Sequence, residues 1–199
     1  MEKALALFDF DGTVYKKDSL VECCKFIYKK EPWRIIFVLL QLIGLLLHSL
    51  RLISAQQFKD LFLCYTYFLP PPKMNNYLKA FWSQEQKNLN TEVLQLLDEQ
   101  RKLGHYIVCV SASPKFQFTE LNRLLTFDKV IATNTEYTNR FQLMGKNCRG
   151  KEKLEQVQST FGPHAKIAFA ISDNQDDHFI LAAAETAYEI KKDKPQKTN

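Results

Sequence analysis

FDFDGTV, residues 8–14, is the stretch that decides the fold, and it follows a short apolar run over residues 4–8. Alternate side chains of a strand share a face, so we expect Asp9 and Asp11 to converge where this strand ends. Gly12 then lets the chain turn away. Two such carboxylates suit phosphate-ester hydrolysis, because one can attack phosphorus while the other donates and accepts protons. Taken alone, the DxD pattern fits a polar strand end or a turn equally well.

Further apolar runs alternate with helical patterns along the chain, at residues 106–110, 129–132, 166–171 and 187–190. This alternation predicts an α/β fold in which helices flank a Rossmann-like parallel sheet. About ninety residues that read as helix separate the first two runs, too many for one crossover, and therefore predict an inserted all-helical cap. The predicted boundaries are 1–15 and 90–192 for the catalytic core, 16–89 for the cap, and 193–199 for a solvated, partly frayed tail.

Two motifs at predicted strand-to-helix junctions indicate anion binding. In VSASP, residues 110–114, Ser113 and Pro114 have the form of a helix N-cap and first-turn pair, which would direct backbone amides and the Ser111 hydroxyl at an anion. In CRGKEKL, residues 148–154, lysines open a helix whose dipole favours anions at that end. Either motif alone is more often a cap or a surface lysine.

The last motif, ISDNQDDHFIL at residues 171–181, follows an apolar strand. Asp173 leaves that strand and Asp177 lies four residues later, a spacing that can direct two carboxylates at one hard cation. Mg²⁺ prefers a few carboxylates together with water and substrate oxygens, which fits this sparse supply. Asp176 is expected to face outward.

In their order along residues 4–190, these motifs resemble those of the haloacid-dehalogenase-like phosphatase superfamily. Asp11 matches the second aspartate of that family's first motif, which favours phosphoryl chemistry over carbon-halogen hydrolysis. The resemblance implies a phosphomonoester substrate and Mg²⁺ as cofactor. It also implies roles for individual residues. Asp9 is the nucleophile and also a metal ligand, and Asp11 is the acid/base whose backbone carbonyl meets the metal. Asp173 binds the metal, with Asp177 in support. Ser111 binds phosphate, and the residues that contact substrate are Gly12, Thr13, Ala112 and Ser113.

The identity of the motif lysine has two solutions. The helix could begin its motif with Lys151, but the pattern CxGxEK followed by an aliphatic residue is similar to the phosphoserine-phosphatase-like branch of the superfamily at Lys153. We therefore assign the role to Lys153 and keep Lys151 as the alternative.

The cap contains an apolar segment at residues 33–53, WRIIFVLLQLIGLLLHSLRLI. Only 16 residues lie between Arg34 and Arg51, about 24 Å of helix against the roughly 30 Å hydrocarbon core, and a spanning helix would separate Asp9 from the later motifs. Two interpretations remain: a helix buried in the cap or a dimer contact, or a helix or hairpin dipping into one leaflet, with Gly44 as its bend. Basic interfacial anchors would then be Lys29, Lys30, Arg34 and Arg51.

Together with DFDGTVYKKDSL at residues 9–20, this segment resembles the bacterial phosphatidylglycerophosphatase C group, which implies a lipid phosphate at the membrane surface. The alternative is a soluble-metabolite phosphatase such as a phosphoserine phosphatase. A receiver-like signalling module is a further rival, against which Asp11 and the long helical insertion speak.

Composition bounds the remaining choices. The chain has 199 residues, a net charge of +5 and no basic-aromatic stripe, so nucleic-acid binding is not expected. Five scattered cysteines without CxxC spacing, and a start that lacks a signal-peptide pattern, predict reduced thiols and a cytoplasmic protein, peripheral at the inner face of the membrane if the lipid interpretation holds. The oligomeric state is left open.

Overall fold

The structure is a computed structural model that describes residues 3–198. Residues 1 and 2 of the predicted core and residue 199 of the predicted tail lie outside the described part. The strands of the central sheet are β1 Leu5–Phe8, β2 Tyr106–Pro114, β3 Lys129–Thr133, β6 Ile167–Ser172, β7 Thr186–Lys191 and β8 Lys194–Lys197. A separate hairpin consists of β4 Thr135–Tyr137 and β5 Phe141–Leu143. In the described residues the six-stranded order is β3-β2-β1-β6-β7-β8, and only the β7–β8 pair is antiparallel. The predicted α/β fold with a mostly parallel sheet is confirmed.

The two central strands are buried along their whole length because both faces of the sheet are covered. Ala6 and Phe8 face one hydrophobic cluster, and Leu5 and Leu7 face the other. A strand covered on both sides reads as a continuous apolar run, which is the pattern that allowed these strands to be predicted.

Within residues 3–198, four α-helices belong to the cap and four to the core. The cap helices are α1 Ser19–Lys30, α2 Val38–Ser49, α3 Ala55–Phe62 and α4 Pro71–Glu85; the core helices are α5 Thr91–Lys102, α6 Phe118–Leu125, α7 Lys151–Phe161 and α8 His178–Ala182. The chain enters and leaves the cap through one neck, where the Asn90 amide donates to the Val14 carbonyl at 2.8 Å and Tyr15 pairs with Leu89. The cap is therefore anchored beside the end of β1.

The apolar cap segment differs from the single helix expected at residues 33–53. A 3₁₀ helix over Pro32–Phe37 precedes α2, and the stretch Pro32–Ser49 is long and apolar enough to cross a membrane by length and composition, although only 17% of it is buried. Gly44 is not a bend. It lies inside α2 where α3 packs, and an added Cβ would stand 2.8 Å from a methyl carbon of Leu61. Because so little of Pro32–Ser49 is buried, the interpretation that this segment is a helix buried in the cap is wrong.

Arg34 is also not an interfacial anchor. Its side chain is 1% exposed, pairs with Glu31, and donates to the backbone carbonyls of Tyr65, at 3.0 Å, and Tyr67. Burial of a guanidinium is tolerated here because Nε donates to the Glu31 carboxylate and Nη1 donates to the two carbonyl oxygens. Arg34 therefore fastens the start of the apolar segment to the rest of the cap.

The tail and one hairpin depart from the prediction. Residues 194–197, expected to be frayed, form the edge strand β8 against β7, and the Asn90 side chain donates to the Asp193 carbonyl at 2.9 Å. The β4–β5 hairpin was not predicted, and it contacts the cap through Arg140, which pairs with Asp60 at 2.7 Å. Both elements are short hairpins whose strands pair with their neighbours in sequence, and each is also held by contacts with a helix distant in the sequence, α5 for β8 and α3 for β5.

Candidate active site

Asp9 lies at the end of β1, held between β6 and a helix from the other half of the core. Its amide donates to Ile171 at 3.0 Å, and its carboxylate is 5% exposed. Lys153 Nζ donates to Oδ1 at 2.5 Å, and the Thr13 hydroxyl donates to Oδ2 at 3.2 Å. The carboxylate is therefore fixed in position by partners on two sides.

Asp11 faces the cap side of the same cavity. It accepts hydrogen bonds from the Ser19 amide, at the first turn of α1, at 2.7 Å and from the Ser113 hydroxyl at 2.5 Å. Burial raises the pKa of Asp11 to about 6, against the lowering effect of these hydrogen bonds. A carboxyl group with that pKa can exchange protons near neutral pH.

The second motif lies within an extended strand rather than at a helix start. β2 continues through Pro114, and α6 begins only at Phe118, so Ser113 is not the N-cap that the sequence predicted. The Ser111 hydroxyl accepts from the Ser113 amide at 3.0 Å, while Ser113 turns its own hydroxyl to Asp11. The extended backbone thus places both hydroxyls and Ala112 along the cavity wall.

The lysine in the centre of the site is Lys153, on the first turn of α7. It is 2% exposed, and its amine also donates to Asp177 Oδ2 at 2.5 Å. Burial lowers the pKa of Lys153, but the charges of Asp9 and Asp177 outweigh it and the net pKa is raised. Lys151 instead points to solvent and pairs with Glu155 at 3.0 Å, so the structure places Lys153 and not Lys151 in the cavity.

Asp173 and Asp177 take different positions. The Asp173 amide donates to the Thr13 hydroxyl at 3.0 Å, and burial, followed by the charge of Asp9, raises the pKa of Asp173 to about 7. Asp177 holds Lys153 and accepts from the Ser172 hydroxyl at 2.7 Å. Asp177 therefore orients the lysine, and Asp173 is the carboxylate that meets Asp9.

Gly12 makes this approach of two motifs geometrically feasible. Its φ is +75°, and a Cβ at this position would stand 2.1 Å from Oδ2 of Asp173. Thr13 is fully buried behind the two carboxylates and orients both, since its hydroxyl also lies 3.4 Å from Asp173 Oδ1. Its place is thus behind Asp9 and Asp173, whereas a substrate-contacting role had been expected.

The donor set fits Mg²⁺. Within residues 3–198 there is no cluster of three His, Cys, Asp or Glu side chains that could hold a metal ion by themselves. Asp9 and Asp173 nevertheless lie close enough to raise the pKa of Asp173, and a cation between them would remove that repulsion. Mg²⁺ is commonly bound through one or two carboxylates, with water and phosphate oxygens completing its shell.

The cavity has a volume of about 450 Å³ and also contains a cation that the sequence did not reveal. Lys59 extends from α3 of the cap and donates to the Ala112 carbonyl at 2.9 Å and to the Asn147 side chain at 3.2 Å. Burial lowers the pKa of Lys59, and no carboxylate among the described residues lies within salt-bridge distance of its amine. A lone lysine in a cap helix has no motif around it, so only its position in the fold identifies it.

Comparisons with known proteins agree with this geometry. Residues 6–182 match the profile described as haloacid dehalogenase-like hydrolase. The chain is 28% identical over 209 aligned residues to Protein CicA of Caulobacter vibrioides, an alignment that covers 98% of this chain and 89% of that protein.

Two solved structures share the fold. A protein of unknown function from Bordetella pertussis Tohama I has a TM-score of 0.78 at 18% identity, covering 94% of this chain and 89% of that one. A phospho-aspartyl intermediate analogue of phosphoserine phosphatase has a TM-score of 0.61 at 14% identity, covering 94% and 86%. Because the family profile spans most of its length, and its motifs meet in one cavity, this chain belongs to the haloacid dehalogenase-like hydrolase family.

Proposed function

We propose that the chain is a Mg²⁺-dependent phosphomonoester phosphatase that acts through a covalent aspartyl-phosphate on Asp9. The observation that carries the proposal is the buried contact of Lys153 with both Asp9 and Asp177, beside a cavity that Asp11 also lines. A fixed ammonium at this point stabilises the charge that builds on phosphoryl oxygens. The superfamily membership and the likeness to a phosphoserine phosphatase support the same chemistry.

The proposed reaction has two displacements. A carboxylate oxygen of Asp9 attacks phosphorus and forms a P–O bond, while the ester P–O bond breaks and Asp11 gives its proton to the departing alkoxide oxygen. Asp11 then takes a proton from water as that water attacks phosphorus, which breaks the Asp9–phosphorus linkage and releases inorganic phosphate. Ser111 and the amine of Lys153 hold phosphoryl oxygens through both steps.

Asp9, Asp173 and the Asp11 carbonyl would hold Mg²⁺. When bound, the ion supplies charge neutralisation to the phosphoryl oxygens. Thr13 sets the separation of the first two ligands because its hydroxyl contacts both carboxylates.

Asp9→Asn tests the mechanism. This variant removes the nucleophile with little change in volume, so we expect loss of phosphate release from p-nitrophenyl phosphate and loss of acid-stable phosphoenzyme. Asp98→Asn is the control, because Asp98 is exposed and pairs with Arg101 on α5, away from the residues that line the cavity. Turnover by Asp9→Asn at the wild-type rate in the presence of Mg²⁺ would show the mechanism to be wrong.

For the substrate, we infer a lipid phosphate such as phosphatidylglycerophosphate. In addition to the motif resemblance, a second cavity of about 330 Å³, here called the apolar groove, supports this inference. It shares Asp18, Leu20, Lys59 and Arg149 with the catalytic cavity and continues between cap helices. Its apolar lining includes Val21, Phe58 and Phe62. If the phosphate of a lipid lay beside Asp9, the apolar part of the same molecule could occupy this groove.

The second candidate is a soluble-metabolite phosphatase such as phosphoserine phosphatase, favoured by the likeness to solved phosphoserine phosphatase structures. Phosphate release from phosphatidylglycerophosphate in detergent, compared with release from small phosphomonoesters, separates the two. We expect a higher kcat/KM for the lipid, and Phe58→Ser should lower it for the lipid alone. A preference for the water-soluble set would dismiss the lipid substrate.

A further inference from the structure

The outer surface of the cap is unusually apolar in one place. Of the fifteen large hydrophobic side chains that are exposed in the described residues, eleven lie between Trp33 and Leu52. Their exposed fractions run from 40% at Leu40 to 67% at Leu52. Single exposed leucines are ordinary, but a continuous apolar patch of this kind marks an interaction surface. We name the segment Pro32–Leu52 the apolar ridge.

The exposed side chains extend around most of α2. At 100° per residue, Leu45 and Leu40 mark the edges of an exposed arc of about 220°. On the opposite side lie the buried Gln41 and Gly44, with the half-buried His48 between them. A helix that packs on another protein usually buries a stripe of about 100°. A single flat or helical partner would therefore leave much of this arc in water, whereas lipid can cover all of it.

The buried side of the apolar ridge is fixed to the cap by polar contacts. The Gln41 amide donates to the Phe62 carbonyl at 2.9 Å and accepts from the Tyr28 hydroxyl at 2.9 Å, and Arg34 binds two further carbonyls. A membrane-spanning helix would have to take these groups into hydrocarbon without their partners, which is costly. The ridge is therefore suited to lie in the plane of an interface.

The charge pattern around the ridge fits an anionic surface. Between Glu31 and Asp60 the sequence contains no acidic residue, and Lys29, Lys30 and Arg51 are exposed at the two ends of the ridge. Basic residues beside an apolar helix face add electrostatic attraction to anionic lipids. We propose that the apolar ridge inserts into one leaflet of an anionic lipid bilayer and holds the protein at the membrane surface.

This docking would place the catalytic cavity beside the lipid. His48, on α2, lines the apolar groove together with Lys59 and Arg149, which also line the cavity. The groove therefore connects the ridge to the site of phosphoryl transfer. The docking itself does not depend on the proposed chemistry, so Asp9→Asn is expected to bind vesicles as the wild type does.

Flotation with vesicles tests the docking. We expect the wild type to float with vesicles of phosphatidylcholine and phosphatidylglycerol. The Leu39→Glu, Leu46→Glu double variant should partition about a hundredfold less, because two exposed leucines that would enter the lipid are replaced by charges. The matched control places glutamates at Leu103 and Leu124, which are 68% and 42% exposed on the core. That variant should float like the wild type.

Tryptophan fluorescence gives a readout that does not require the charged variants to fold. The chain has two tryptophans: Trp33 on the ridge is 51% exposed, and Trp82 on the cap helix α4 is 2% exposed. Brominated acyl chains should quench the wild-type emission, and Trp33→Phe should abolish that quenching. The experiment uses the unmodified wild-type fold as its main sample.

Two results would overturn the proposal. One is a wild type that neither floats with anionic vesicles nor shows quenching by brominated lipid. The other is a wild type that elutes as a dimer without lipid and becomes monomeric on Leu39→Glu, Leu46→Glu substitution, while its flotation is unaffected. The second outcome would assign the ridge to contact between two copies of this chain.

Discussion

Lys153→Met is the perturbation that most directly tests the centre of the site. Methionine keeps the length of the side chain but removes the ammonium that lies 2.5 Å from Asp9 Oδ1 and 2.5 Å from Asp177 Oδ2. All three side chains are less than a tenth exposed, so water cannot replace the lost partner. Breaking a buried pair by removing one member costs about 3–5 kcal/mol, and we expect the free energy of unfolding to fall by that amount.

Catalysis should fall independently of stability. Loss of one fixed donor to a phosphoryl group typically costs about 10²–10³-fold in turnover, and Lys153→Met should show this loss in kcat for phosphate release at saturating p-nitrophenyl phosphate. Urea unfolding measures the stability of the same preparation. Lys151→Met is the matched control, because Lys151 is 69% exposed and pairs only with Glu155 on the surface, and it should change neither quantity appreciably. If Lys151→Met lost activity and Lys153→Met kept it, the assignment of the motif lysine would be refuted.

Three further changes have separate readouts. Gly12→Ala should abolish Mg²⁺-dependent activity, because the added Cβ would displace the Asp173 carboxylate. Gly104→Ala is its control: Gly104 has a φ of +82° but open space around it, so the substitution should lower the free energy of unfolding by only about 1–2 kcal/mol and keep activity. Lys59→Ala should raise KM for p-nitrophenyl phosphate about tenfold in steady-state assays, because a cation facing the cavity is lost; an unchanged KM would remove Lys59 from the site. Arg34→Met should lower the free energy of unfolding by about 3 kcal/mol in urea, and a smaller change than 1 kcal/mol would mean that its buried contacts contribute little.

The strand ends that carry the site were predictable because burial on both faces leaves a simple pattern. The runs that became β1 and β6 were predicted to within a residue of their limits, and the acidic residues that follow them, Asp9 and Asp173, meet in the structure. The choice of Lys153 over Lys151 came from the resemblance of its motif to the phosphoserine-phosphatase-like branch. For the two aspartates local sequence was sufficient, because each lies one residue beyond a strand.

What escaped prediction depends on pairing and packing that no single segment shows by itself. The sequence of β8, KPQK, has lysines and a proline that read as a solvated tail, yet such residues are typical of an exposed edge strand once a neighbour is present. Lys59 lies on an ordinary amphipathic helix, and only the packing of the cap on the core brings its amine to the Ala112 carbonyl. The sequence around Arg34 does not distinguish it from a surface arginine, because the carbonyl groups that bind its side chain are about thirty residues away.

The packing of α2 against α3 connects the apolar ridge with the cavity. α2 carries the exposed arc and α3 carries Lys59, and the two helices meet where Gly44 leaves space for Leu61 and Phe58. Because close packing transmits displacement rather than absorbing it, the distance from the apolar ridge to the amine of Lys59 is set by this contact. In the proposed docking, the phosphate of a lipid headgroup would reach Asp9 only if that distance matched the depth at which the ridge inserts. On that proposal, Gly44 would contribute to the position of the substrate without lining the cavity.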